Sequence, residues 1–173
     1  MTVESGRHSA RLVTLAFVRS GTDVLLLRHP DASDRFRGLW NGVGGHVEPG
    51  EGIRAAARRE LREETGLDVE GLRLCGVIHE SGLLGHAHVL FVFVGEAPGR
   101  ELQPRQGLEV AWQPIERLGE LPLVDDVAEL LPRLWTVREP LFATEAYDGA
   151  DRPQWIRFEE DGDAAVASRR ARA

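Results

Sequence analysis

Apolar positions along this chain follow two rhythms. Residues 11–18 and Asp23–Arg28 are short, nearly unbroken runs of Val, Leu and Phe separated by Ser20-Gly21-Thr22, which predicts two strands joined as a hairpin. A polar loop over 30–38 and a Trp/Gly-rich segment over 40–45 follow. From Ile53 to Thr65 the composition turns to Ala, Leu, Arg and Glu, the strongest helix formers, and Gly66 supplies a C-terminal stop. Strand-like stretches return over 68–79 and 86–95, broken at 82–85. A Pro/Gly/Glu/Arg loop over 97–107 leads to a short strand over 109–112 and a helical turn over 115–118. Val127, Leu130, Leu131 and Leu134 recur at helical spacing, so 125–134 reads as a second helix, with Asp125 or Asp126 placed to cap it. Residues 141–147 and 154–158 read as a hairpin around Asp148-Gly149, and the tail from about 159 is expected to lack order. Strands flanking one helix, with a second helix late in the chain, predict an α/β fold: a mixed sheet between helical layers.

Composition narrows the class. A chain of 173 residues with 42% hydrophobic content is long enough for one substantial core, and no repeat or linker divides it, so residues 1–160 read as a single domain and 161–173 as a tail. No run of eighteen apolar residues occurs and the N-terminus lacks the basic-then-apolar pattern of a signal, so neither membrane insertion nor export is expected and a cytoplasmic location is the default. Cys75 is the single cysteine; without companions it forms neither an internal disulfide nor a zinc site, and it reads as a small buried side chain. The net charge of -7 disfavours a nucleic-acid polymer as partner but is compatible with a metal-neutralised small nucleotide. Every cation other than histidine is arginine, so any phosphate clamp must be built from Arg. Oligomeric state has no signature in the chain.

The first helix carries the chemistry. At about 100° per residue, Glu60 and Glu64 stand one turn apart on one face with Glu63 beside them, and Ile53, Ala56 and Ala57 extend that stripe. Carboxylates massed this closely repel one another unless a cation joins them, and hard oxygen ligands suit Mg²⁺ or Mn²⁺ rather than zinc. The residues from Gly45 through Glu51 to Arg59-Glu60-Leu61-Arg62-Glu63-Glu64-Thr65-Gly66-Leu67 match every defining position of the box that marks the Nudix family, and the chain resembles that family over nearly everything before the tail. The resemblance implies a Nudix-type α/β/α sandwich and hydrolysis of a nucleoside diphosphate linked to another group. It gives Glu60, Glu63 and Glu64 the role of Mg²⁺ ligands, Mn²⁺ being an alternative ion, with the main-chain carbonyl of Gly44 as a further oxygen. Glu51 and Arg59 become supporting residues, for which an ordinary ion pair on the helix is the competing account.

Specificity lies outside the box. Trp40-Asn41-Gly42-Val43-Gly44-Gly45 resembles the lead-in of the subgroup that hydrolyses oxidised purine nucleoside triphosphates. Asn41, the only asparagine, offers donor and acceptor to a base edge; a plain Asn-Gly turn explains it equally. Asp125 and Asp126 resemble the aspartate pair with which that subgroup reads its base, and a helix cap accounts for them as well; Leu123 stands where a stacking tryptophan is found in the subgroup. Arg28 suits a triphosphate, with Arg35 and Arg37 as alternatives. Glu109 falls where relatives carry an additional glutamate used as metal ligand or base. His86 and His88 alternate on one strand, where packing or an edge position is favoured because no soft ligand lies nearby.

The expected activity is therefore Mg²⁺-dependent release of pyrophosphate from a nucleoside triphosphate, an oxidised purine such as 8-oxo-dGTP being the leading substrate. Two alternatives stand. One is a Nudix activity on a nucleotide sugar, dinucleotide or pyrimidine nucleotide, although the tyrosine and proline that mark two such subgroups past the box are missing around 82–86. The other is an inactive nucleotide sensor or interaction domain, against which the complete acidic triad speaks.

Overall fold

A computed structural model describes residues 8–30, 36–159 and 167–168. One mixed sheet organises them. Its strands are β1 (Arg11–Ser20), β2 (Asp23–Arg28), β3 (Val43–His46), β4 (Arg73–Ser81), β5 (Ala87–Glu96), β6 (Glu109–Pro114), β7 (Leu141–Tyr147), β8 (Pro153–Phe158) and β9 (Ala167–Ser168), in the order β6-β2-β1-β5-β4-β7-β8-β9 with β3 paired to β1. The β1–β5 and β4–β7 pairs are parallel and the others antiparallel.

The unbroken apolar runs of β1 and β2 follow from burial on both faces. Ala16, Val18, Leu25 and Leu27 pack with Ala57 and Leu61 of helix α1 (Ile53–Thr65), whereas Leu15, Phe17, Val24 and Leu26 pack with Val127, Leu130, Leu131 and Leu134 of helix α2 (Asp125–Leu134). The result is the predicted α/β/α sandwich. Helix α1 ends as its sequence requires: Gly66 takes the left-handed conformation at φ 80° and its N–H bonds back to the Arg62 carbonyl. Cys75 is fully buried, with its thiol pushed up to about 12 mainly by that burial.

Two expectations need correction. Strand β4 starts at Arg73, because Leu67, Val69 and Leu72 reach into the core beneath α1 from an irregular lead-in whose alternation imitates a strand. The N-cap of α2 is Val124, without a side-chain cap; Asp125 and Asp126 occupy the first turn, where their charge complements the positive helix end without capping it. Most of the tail lies outside the described residues, but Ala167–Ser168 pairs with Trp155–Ile156 of β8.

Candidate active site

Arg59 ties the acidic helix to the turn before it. Its Nε and one terminal nitrogen grip both oxygens of Glu51, at 2.9 and 3.0 Å, while the other terminal nitrogen donates to Glu60 at 2.8 Å and reaches Glu63 at 3.4 Å. It also donates to the His46 carbonyl at 3.0 Å, fixing α1 to the end of β3. Glu51 takes up the backbone N–H of Glu48, and the Arg59 guanidinium with that bond holds its carboxyl below the ordinary value. Glu51, Arg59, Glu60 and Glu63 thus converge on one hub.

Glu64 faces a different set of groups. Its side chain is only 5% exposed, and Oε1 accepts from Arg105 at 3.0 Å. Arg105 reaches it because the 97–107 loop docks on the end of α1 through Gln103 N–H to the Thr65 carbonyl and Arg105 N–H to the Glu64 carbonyl. The other oxygen, Oε2, is buried without a hydrogen-bond partner. Burial raises the Glu64 carboxyl to about 7, opposed by the charge of Arg105 and reinforced by that of Glu60, with the Gly44 N–H lowering it and Glu63 raising it. The glycines of β3 permit this closeness. A Cβ on Gly45 would collide with the Glu60 carboxylate, and one on Gly44 with the Thr14 main-chain carbonyl.

A cavity of about 350 Å³ opens beside β3. Thr14, Asn41, Gly44, His46, Glu80, His88 and Asp126 are among the residues that line it. Asn41 and Asp126 both line it because the 40–41 and 122–124 segments run side by side, Trp40 N–H bonding to the Pro122 carbonyl at 2.8 Å and Val124 N–H to the Trp40 carbonyl at 3.0 Å. The Asn41 side-chain oxygen accepts the Gly42 N–H at 2.7 Å, so the turn role and a cavity position coexist in one residue.

Comparison with known proteins bears directly on this arrangement. The family model described as NUDIX domain matches residues 8–134. The chain belongs to the Nudix family. It is 31% identical over 121 residues to an NAD-capped RNA hydrolase NudC of Chromobacterium violaceum, covering 69% of this chain and 43% of that protein. It is 39% identical over 83 residues to an oxidized purine nucleoside triphosphate hydrolase of Danio rerio, covering 47% of this chain and 53% of that protein. The chain thus spans about half the length of these curated relatives. A crystal structure of a MutT protein from Bacillus halodurans superposes with a TM-score of 0.74 at 26% identity, covering 87% of this chain and 98% of that one.

Outside the Nudix box, the sequence-derived candidates fall in several places. Asn41 and Asp126 share the cavity, whereas Asp125 is half-buried and not among the residues lining it. Arg28 and Glu109 are brought to each other: they are register partners on β2 and β6, their side chains pair at 2.7 Å, and Arg28 lies over the Trp40 ring. Arg37 is exposed, and Arg35 lies outside the described residues. His86 bonds Arg11 at 2.8 Å, while His88 is buried in the cavity wall. Arg105 and the acids Glu80 and Glu145 had no sequence signal, since each owes its position to contacts distant along the chain. No helix among the described residues is long and apolar enough to cross a membrane.

Proposed function

We propose that this Nudix chain is a Mg²⁺-dependent pyrophosphohydrolase that converts a nucleoside triphosphate to the monophosphate and pyrophosphate, with an oxidised purine deoxynucleotide as substrate. The observation that carries this reading is a single cavity lined both by Gly44 and His46, next to the acidic helix, and by Asn41 and Asp126. The donor set fits a hard divalent ion: Glu64 presents a buried oxygen lacking any hydrogen-bond donor, beside Glu60 and Glu63. Glu60, Glu63, Glu64 and the Gly44 carbonyl would hold it. Bound there, Mg²⁺ offsets phosphate charge and makes water a better nucleophile. Arg59 keeps Glu60 and Glu63 oriented and ties them to Glu51. Asn41 offers its NH₂ end and Asp126 its carboxylate to a base that displays both acceptor and donor, as an oxidised purine does. Arg28 and Glu109 neutralise each other.

The similarity to an oxidised purine triphosphate hydrolase supports this substrate class, while the similarity to NudC favours a second reading, hydrolysis within a dinucleotide. A Mg²⁺-supplemented screen of nucleoside triphosphates, dinucleotides and nucleotide sugars, with products identified, separates them. Fastest pyrophosphate release from an 8-oxopurine triphosphate is expected; preferential cleavage of a dinucleotide into two monophosphates would replace the first reading with the second.

A further inference from the structure

Three adjacent strands place chemically active side chains in one row. His88 of β5 is the register partner of Glu80 of β4, and Glu80 is the partner of Glu145 of β7, so all three project from the same face of the sheet. Two residues along each strand, the neighbouring row is Leu90, Ile78 and Ala143, which packs beneath α2. The polar row is therefore on the α2 face, across the sheet from the core beneath α1. The first turn of α2 adds Asp126, and the carboxylates of Glu80, Asp126 and Glu145 offer ligand oxygens all within 4.8 Å of one another. Each of these acids is buried.

His88 supplies a second, independent indication. Its side chain is 7% exposed, and its Nδ1 has no hydrogen-bond partner and faces Glu80 Oε2 at 3.7 Å, beyond hydrogen-bonding reach. Glu80, His88 and Asp126 line the cavity, which gives an ion a route in, while Glu145 is fully buried.

We propose that Glu80, His88, Asp126 and Glu145 form a second divalent-cation site, separate from the carboxylates of α1 and suited to a transition-metal ion such as Mn²⁺. Three carboxylates provide hard oxygen donors, and one imidazole biases the set away from Mg²⁺ and Ca²⁺. The inference stands whatever nucleotide the enzyme hydrolyses, since it rests on strand register and donor geometry alone. A cation here would also fix the orientation of Asp126 at the cavity wall.

The test uses Mn²⁺ alone, without nucleotide, on the full chain carrying Glu60→Gln, Glu63→Gln and Glu64→Gln together. Electron paramagnetic resonance of free Mn²⁺ should show that this variant still retains one bound ion. Adding Glu145→Gln or Glu80→Gln should weaken that binding about 10-fold or more. NMR of the same triple variant, with no further substitution, should show the His88 ring signals broadened by Mn²⁺, which keeps the test decisive if the buried Glu145 variant fails to fold. No retained Mn²⁺, or unperturbed His88 signals with affinity unchanged by Glu80→Gln, would overturn the site and leave the α1 assignment untouched.

Discussion

Glu64→Gln should stabilise the metal-free protein at alkaline pH, an unusual result for a substitution in a helix. In the folded chain burial raises the Glu64 carboxyl from 4.5 to about 7. Between those values the folded state holds a proton that the unfolded state has released, so stability falls as pH rises through this window and the loss is complete above about 7. The difference of 2.5 pKa units corresponds to about 3 kcal/mol. Glutamine keeps the shape and has no charge to bury, so the variant lacks this slope. In EDTA, urea denaturation followed by tryptophan fluorescence should give a stability difference, variant minus wild type, that climbs by about 3 kcal/mol between pH 4.5 and pH 8. Taking the difference cancels the opposite contribution of carboxyls such as Glu51 and Asp68, which arginine pairing lowers and which lose stability in acid. Saturating Mg²⁺ should reverse the ranking, because the ion binds the folded wild type and stabilises it by mass action. A difference that stays flat from pH 4.5 to pH 8 would refute the account of Glu64 as a desolvated carboxyl.

Glu63 is half exposed, so Glu63→Gln should leave the urea midpoint unchanged while kcat falls about 100-fold or more; near-normal turnover would remove it from the metal site. The adjacent glycines should separate by phenotype. Gly44→Ala drives a Cβ into the Thr14 main chain and should cost about 1–3 kcal/mol of stability, whereas Gly45→Ala displaces the Glu60 carboxylate and should chiefly raise the Mg²⁺ concentration needed for half-maximal rate. Asp126→Asn should reorder base preference in competition assays more than it changes Mg²⁺ dependence, and an unchanged ranking would retire its base-reading role.

What the sequence disclosed was local. The acidic face of α1 and its stop at Gly66 follow from spacings within a few helical turns, where periodicity fixes neighbours, whereas the supporting roles of Glu51 and Arg59 came with the Nudix resemblance. Residues meeting through strand register were hidden: the row His88–Glu80–Glu145 exists only because β4 pairs with β5 on one side and β7 on the other. The carboxylates beside His88 in space are not its neighbours along the chain. Arg105 escaped for a similar reason, since a Pro/Gly/Arg loop gives no sign of which helix it will cover. The misplaced α2 cap shows the limit of propensity, as an aspartate pair at a helix start serves equally in the first turn, and Asp126 there faces the cavity. Arg28 and Glu109 looked like separate candidates until β2 and β6 paired them.

The account turns on α1 gathering oxygens around a divalent ion. Anomalous scattering from crystals soaked in Mn²⁺ tests it most directly: a peak in contact with the carboxylates of Glu60, Glu63 and Glu64 is predicted. Full Mn²⁺-supported hydrolysis by the same preparation, with no ion beside those side chains, would contradict it.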